Sequence, residues 1–483
     1  MQQIHVWYIV GVVVYAAVII GVSYMRRVRS YEAFMLAERK TPLLTGTLGL
    51  IGVSYGGFVI TSFVMLGFLM GFSGTWAWTT SIVSSVVFGM LLAPILRKRV
   101  DTDVAHSYTT GDFYAHLFGE RMRIPTMVLI TFRDISVVGM ECFAGGLILN
   151  AVVGFPIIVG MLISAGVILA YTILGGYVAI NITTNIQAIF FSAGAVTLMV
   201  LAFMTAGGWG NIVANAPAVH FEWFNLTPDL WQFWLITMSC FYLMWFPFWQ
   251  RAYSAKDVKI VRPMFGIGMP LVGVIFFVAA LTGIALSAVY PGANPAIVGP
   301  WFISQLPSLY GTAGVILAVF IFTSVLAALQ STGAGTLIGP TLLITHDIFR
   351  MRLGITDEKK LFRIGRFILL PAVLALSFGL SLAIKDVIQL LMVGNQIVVA
   401  GLFWPLVLGI LWKRANKYAA LTSVGLAGGV TAVWYSYGYF VLHNSGHIGG
   451  IHAITVGFVL SLVIMLVGGL FTKGRKSVTS LHS

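Results

Sequence analysis

Thirteen runs of about twenty apolar residues, each long enough to cross a bilayer as a helix, follow one another along the chain with little between them. Their approximate limits are 5–24, 44–69, 74–96, 124–150, 155–174, 184–207, 230–249, 264–288, 311–343, 365–384, 388–411, 417–441 and 451–472. In hydrocarbon a segment must satisfy its own backbone hydrogen bonds, which a helix does. Charged residues are 9% of the chain and mean hydropathy is +0.95. An ordinary soluble protein has about 25% charged residues, so too little polar surface exists here to face water. The chain reads as an all-α integral membrane protein of 13 transmembrane helices, one membrane domain over 1–483, with the lipid bilayer as its surroundings. The longest connections, 97–123, 208–229 and 289–310, are too short for a packed soluble core. The last two are rich in Gly, Pro and aromatic residues and read as short interfacial helices or caps.

Basic residues give the orientation. All of the 28 Lys and Arg except Arg133 and Lys385 fall in odd-numbered loops or in the tail when the N-terminus is outside. The positive-inside rule then places the protein in the cell membrane with a cytoplasmic C-terminus. The net charge of +13 is a topology signal facing anionic headgroups and not a nucleic-acid patch. No basic segment or small-residue cleavage site accompanies the first run, which reads as a helix and not a signal peptide. Cys142 and Cys240 lie inside apolar runs, which excludes a disulfide scaffold and a cysteine metal site. None of the nine histidines is mid-span, and His443, His447 and His452 cluster in the last outer loop. With no HExxH and no supported Ser/His/Asp arrangement, an enzyme is not expected.

Four spans carry polar chemistry. The second contains Ser54-Tyr55-Gly56-Gly57, a glycine pair beside a hydroxyl and a phenol, which reads either as a helix interruption or as a close packing seam. Pro247 predicts a break in the seventh span after Trp245. In the ninth, Ala328, Ser331 and Thr332 stand at i, i+3 and i+4 and share one face. Charges at membrane depth face a cavity or a partner. Arg133, Asp134 and Glu141 of the fourth span therefore read as a charge relay, as a receiver for an anionic solute, or as an ion pair fastening the bundle. Asn395 and Gln396 of the eleventh span are either interhelical glue or a solute contact.

Local signatures resemble the sodium:solute symporter family in order along most of the chain. Tyr171-Thr172-Ile173-Leu174-Gly175-Gly176-Tyr177-Val178-Ala179 with Thr183 and Gln187 is similar to its Y-T-x-x-G-G turn. Gln250-Arg251 through Lys256, Ala327-Ala328 with Ser331-Thr332, and Pro405-Leu406 through Asn416 resemble three further segments. The resemblance implies a leucine-transporter-like core. It would consist of two inverted five-helix repeats, helices 2–6 and 7–11, with helices 1, 12 and 13 peripheral. A repeat of five spans inverts the second copy, in agreement with the span count. The resemblance also implies a co-transported sodium ion held by the Ala328 carbonyl, the Ser331 and Thr332 hydroxyls, and carbonyls of Gly57 and Ile60. Ser54, Tyr55, Gly56, Trp245, Asn395 and Gln396 would line the solute. The sequence departs from the family at Thr184, where an aspartate is usual.

The expected function is sodium-driven uptake of a small polar solute by alternating access. Pro247 resembles the proline, pantothenate and monocarboxylate branches, which suggests a carboxylate-bearing solute. A proton-coupled carrier using Asp134 or Glu141 is the alternative. A transporter-like sensor is the other, disfavoured because the chain ends about ten residues after its last span. Partners are the solute, sodium and lipid, without nucleic acid, and a monomer is expected.

Overall fold

The computed structural model describes residues 2–225 and 230–471; the basic residues Lys473, Arg475 and Lys476 of the tail lie outside these. Helix α1 (Gln2–Met25) and the short α2 (Tyr31–Leu36) precede α3 (Leu43–Val53) and α4 (Val64–Met70), two halves of one interrupted rod. Next come α5 (Trp76–Val87), α6 (Ala93–Thr102), α7 (Thr110–Phe118) and the long α8 (Arg123–Val153). After α9 (Ile157–Thr205) and α10 (Trp209–Asn215), a second interrupted rod contains α11 (Thr237–Phe241) and α12 (Phe246–Ser254). Then follow α13 (Val261–Val289), α14 (Val298–Ile344), α15 (Glu358–Arg363), α16 (Leu370–Ala383) and α17 (Val387–Leu411). The chain closes with α18 (Lys417–Thr422), α19 (Gly428–Ser436), a minimal hairpin of β1 (His447–Ile448) and β2 (Ile451–His452), and α20 (Ala453–Leu470).

Among the described residues, nine helical rods are long and apolar enough to cross a membrane. Two of them are kinked at a glycine of positive φ. A straight 49-residue α9 would be roughly 74 Å long at 1.5 Å per residue, more than twice the hydrocarbon core. It turns instead on Gly176 (φ 55°, ψ −157°), and α14 turns on Gly311 (φ 56°, ψ −135°). The gap expected between the runs ending at 174 and beginning at 184 is therefore helical, because one glycine with positive φ does the work of a loop.

Burial separates a core from a periphery. The most apolar windows of the rods containing α8 and α17 are 78% and 83% buried, against 22% for α1 and 33% for α20. Exposed Val13, Val14 and Val18 of α1, and Val459 and Val463 of α20, present an apolar surface suited to lipid tails. Within the core, α4 and α13 approach so closely that a Cβ on Gly67 would strike the Ala280 backbone, and one on Gly283 the Val64 backbone. The half-rods α3 and α12 are also stitched together. Thr41 N–H donates to Ser254 O and Lys256 N–H to Thr41 O, both at 3.0 Å. Gln250 Nε2 donates to Met35 O at 2.6 Å, and Arg97 Nε to Ala255 O at 2.6 Å.

Gly176 gives a test of the joint. A Cβ there would lie 2.5 Å from Phe34 Cδ2 on a backbone that L side chains avoid. Gly176→Ala is expected to destabilise the purified protein by about 1–3 kcal/mol, read as a lower thermal midpoint in detergent. Gly166→Ala, where a Cβ meets nothing within 4 Å, is the control and should be neutral or stabilising.

Candidate functional site

Between α3 and α4 the helix opens at Ser54–Phe58, with Gly56 at φ 38°. The opening frees backbone groups that no lipid tail can bond, and two other helices supply their partners. From α14, Ser331 Oγ donates to Gly52 O (2.7 Å) and to its own turn at Ala328 O (2.7 Å). Thr332 Oγ1 donates to Val53 O (2.8 Å) and accepts Gly56 N–H (2.8 Å). From α8, Glu141 Oε2 accepts Gly57 N–H (2.8 Å), while Oε1 has no partner and faces Gly56, where a Cβ would collide with it. Ser331, Thr332 and Glu141 are fully buried.

The result is a knot of carbonyl and hydroxyl oxygens, the donor set a hard cation prefers. Its register differs from the one the resemblance implied. The Gly57 carbonyl accepts from Thr61 (N–H 3.3 Å, Oγ1 3.2 Å), and the Ile60 carbonyl lies against Gly299, 2.5 Å from where a Cβ would stand. The cause is local: α3 already ends at Val53, so the carbonyls that face Ser331 and Thr332 belong to its last turn. Ser54 Oγ donates to Leu50 O (2.8 Å), and the Tyr55 hydroxyl turns toward α9, 3.0 Å from Ser192 Oγ.

The second interruption is made by Trp245, extended at φ −89° and ψ 115°, ahead of Pro247 in the first turn of α12. Proline suits that position because its missing N–H has no intrahelical acceptor there. The α8 charges sit at this break. The Arg133 guanidinium carbon lies 4.5 Å from the Phe241 ring centroid and 5.2 Å from that of Trp245. Nε donates to Asn395 Oδ1 (2.8 Å) and Nη1 to Asp134 Oδ1 (3.1 Å). Arg133 Nη2, Asp134 Oδ2, Trp245 Nε1 and both amide atoms of Gln396 are buried without partners. Leaving such groups unmet costs roughly 1–3 kcal/mol each, so their concentration around one break marks a place suited to a polar guest. The fourth-span charges thus divide: Arg133 and Asp134 pair at the second break, and Glu141 caps the first.

Sequence patterns did not single out a third cluster, at the end of α14. Arg123 Nη1 pairs with Asp112 and, at 3.3 Å, with Asp347 Oδ1. His346 Nε2 lies 3.0 Å from Asp112 Oδ2, and Thr109 Oγ1 donates to Asp347 Oδ1 (2.8 Å). The available signal was Thr109-Ser-type capping of α7, a T-x-x-D box closed by Asp112. Burial alone would raise the Asp112 carboxyl; His346 and the Arg123 guanidinium overrule it and hold it well below the usual range. Asp112, His346 and Asp347 are the one metal-sized group of three ligating side chains among the described residues. Arg123 already occupies both carboxylates there, which makes the cluster an ion-pair network. In the β1–β2 hairpin His447 and His452 face each other across the strands, ring centroids 5.2 Å apart.

The profile described as "Sodium:solute symporter family" matches residues 34–428. The high-affinity proline transporter PutP of Bacillus subtilis (strain 168) is 23% identical over 472 residues, 94% of this chain and 96% of that protein. The osmoregulated proline transporter OpuE of the same strain is 24% identical over 483 residues, 96% and 94% of the two chains. The sodium/proline symporter of Staphylococcus aureus is 24% identical over 475 residues, 94% and 90%. Among solved structures, a Na+-coupled sialic acid symporter in a substrate-bound outward-open state superposes with TM-score 0.81 at 16% identity, over 98% of this chain and 99% of that one. The nucleobase-cation-symport-1 family transporter Mhp1 gives TM-score 0.52 at 14% identity, over 91% and 96%. These likenesses show a leucine-transporter-like fold.

Asp112 provides a pH test. A carboxyl depressed in the folded state stabilises above its unfolded value of about 3.9, and that stability is lost as pH falls through the folded value. Removing one member of a buried ion pair costs about 3–5 kcal/mol. Asp112→Asn should therefore lower the thermal midpoint in detergent at pH 7 and flatten its decline below about pH 4. A variant with the parent's pH profile would contradict the assignment.

Proposed function

The chain belongs to the sodium:solute symporter family, and from this premise we propose that its solute is a small carboxylate-bearing molecule, bound at Arg133 and carried by alternating access. Sodium-coupled solute uptake across a membrane is the family's activity, and sodium is the co-transported ion. The observation that supports the carboxylate is the free Nη2 of Arg133, buried beside a second donor without an acceptor, Trp245 Nε1. A guanidinium presents such donors in a planar fork that matches carboxylate geometry. Asp134 Oδ2 is available to a cationic nitrogen, so proline, the solute named for the relatives above, is the first to test.

For sodium, we assign the oxygens of Ala328, Ser331 and Thr332 together with the carbonyls of Gly52 and Val53 as the binding set. A cation taking these oxygens would replace the hydrogen bonds that now join them at 2.7–2.8 Å, each hydroxyl keeping its proton and turning it away from the ion. A proton-coupled carrier is the second reading, favoured by Glu141, fully buried with one carboxylate oxygen unpartnered. The interrupted rods and the kink of α9 at Gly176, which separates two of the expected runs, support thirteen crossings in one membrane domain. The basic loops favour an outside N-terminus.

Uptake into proteoliposomes under imposed sodium gradients tests this reading. Arg133→Lys is expected to raise the KM for the solute about tenfold to a hundredfold, the effect of losing a charged hydrogen bond. Thr332→Ala should raise the sodium concentration for half-maximal uptake roughly tenfold at unchanged expression, equivalent to about 1.4 kcal/mol. Unaltered sodium dependence in Thr332→Ala and Ser331→Ala, or uptake driven equally well by a pH gradient without sodium, would refute the sodium assignment. For topology, single cysteines replacing Lys256 and the exposed Phe224 should label from opposite sides. The native Cys142 and Cys240 are buried and should stay silent.

A further inference from the structure

Arg251 is, with Arg133, one of the two most deeply buried arginines among the described residues, and unlike Arg133 it has no acid beside it. It is 1% exposed on α12, where Nη1 donates to Asn181 Oδ1 and the guanidinium lies 5.1 Å from the Tyr177 ring centroid. Nε has no partner, and among the described residues the titratable group acting on it is Tyr177. On α3 it abuts Gly49, where a Cβ would stand 2.5 Å from Nη1.

That contact places the charge relative to the sodium oxygens. Gly49 is three residues before Gly52, about 4.5 Å along the helix axis, and Gly52 O is the carbonyl that receives Ser331. Gly52 rests on Thr184, whose Cγ2 a Cβ would meet at 2.5 Å and whose Oγ1 is unpartnered. One turn earlier on α9 is Asn181, which holds Arg251 and also donates through Nδ2 to Thr41 Oγ1 (3.3 Å). A polar line therefore runs from the sodium oxygens past Thr184 and Asn181 to Arg251, toward the end of the molecule that carries Lys40 and Lys256. On the other side of the same oxygens stands Glu141, buried with no basic partner. Along the interrupted rod the order is lone cation, oxygen cage, lone anion.

We propose that Arg251 is an electrostatic valve, whose uncompensated charge closes the basic-loop side of the sodium site to cations and so keeps sodium from crossing without solute. The inference rests on the sodium reading above. Charges at this depth are screened far less than at a surface, so one guanidinium about a helical turn from the ion is felt strongly. A cation arriving from the Glu141 side is attracted inward, and its departure past Asn181 is opposed until α3 and α12 rearrange.

The test is radioactive sodium influx into proteoliposomes without any solute, beside sodium-driven solute uptake in the same vesicles. Arg251→Gln should raise the solute-independent influx about tenfold or more, the factor given by ~1.4 kcal/mol of lost repulsion. Arg251→Lys keeps the charge and should stay near the parent. Asn181→Asp keeps the arginine but adds an acid beside it, and should leak as Arg251→Gln does. A purely packing role predicts the reverse: a tighter pair and no leak in Asn181→Asp, and equal defects in the Lys and Gln variants. Either of those patterns, or no leak in both Arg251→Gln and Asn181→Asp, overturns the valve. Absence of sodium-driven uptake in the parent would sink the sodium reading itself, whereas tight Arg251→Gln and Asn181→Asp vesicles with uptake intact sink the valve alone.

Discussion

Opening a helix inside a bilayer exposes N–H and C=O groups to surroundings that offer no water, and much of this architecture answers that one requirement. The freed carbonyl of Val53 and the freed amides of Gly56 and Gly57 each find a side chain from another helix, and the Gly52 carbonyl, which accepts Tyr55 N–H, also takes the Ser331 hydroxyl. Those side chains come from α8 and α14, which must therefore pack directly on the break. That need explains why the α8 rod is largely enclosed while α1, which serves no such group, is left to lipid. The oxygens recruited to satisfy the backbone are of the kind that suits a hard monovalent ion.

The two interruptions solve the problem differently. The first relies on glycine, because the chain turns where Glu141 and Phe58 leave no space for a Cβ. The second relies on Trp245 and Pro247, an extended residue followed by one with no N–H to leave unpaired. Its polar content is carried by side chains: a guanidinium against two neighbouring aromatic rings, held in place by Asn395 and Asp134. Backbone and hydroxyl oxygens thus gather at one break and a fixed positive group at the other, which keeps the places suited to an ion and to an anionic solute chemically distinct.

The apolar, all-helical character was legible because hydrophobic length is a one-dimensional property, and the shared face of Ser331 and Thr332 because helical periodicity is local. The glycine pair at 56–57 announced the first break. It did not reveal that α3 stops at Val53, since the end of a helix there depends on what α14 and α8 bring to it from far along the chain. The joint at Gly176 was hidden for a related reason: the segment before position 184 has loop-like glycines and polar residues yet packs as helix. Charge counting misled in one respect. Arg251, Arg123 and Arg97 were read as loop residues of a cytoplasmic face, whereas all three are buried. Their partners, Asn181, Asp112 with Asp347, and the Ala255 carbonyl, lie between 11 and 224 positions away in sequence, beyond any local pattern.

The stitch between Thr41 and Ala255 has a mechanical consequence. It joins the first residues of one interrupted rod to the last residues of the other, with Gln250 and Arg97 holding the same seam. The half-rod that carries the oxygen knot and the half-rod beside the guanidinium are thereby yoked like two oars on one crossbar. A hydrogen-bonded route therefore runs from Trp245 along α12, across this buried seam and up α3 to Gly52.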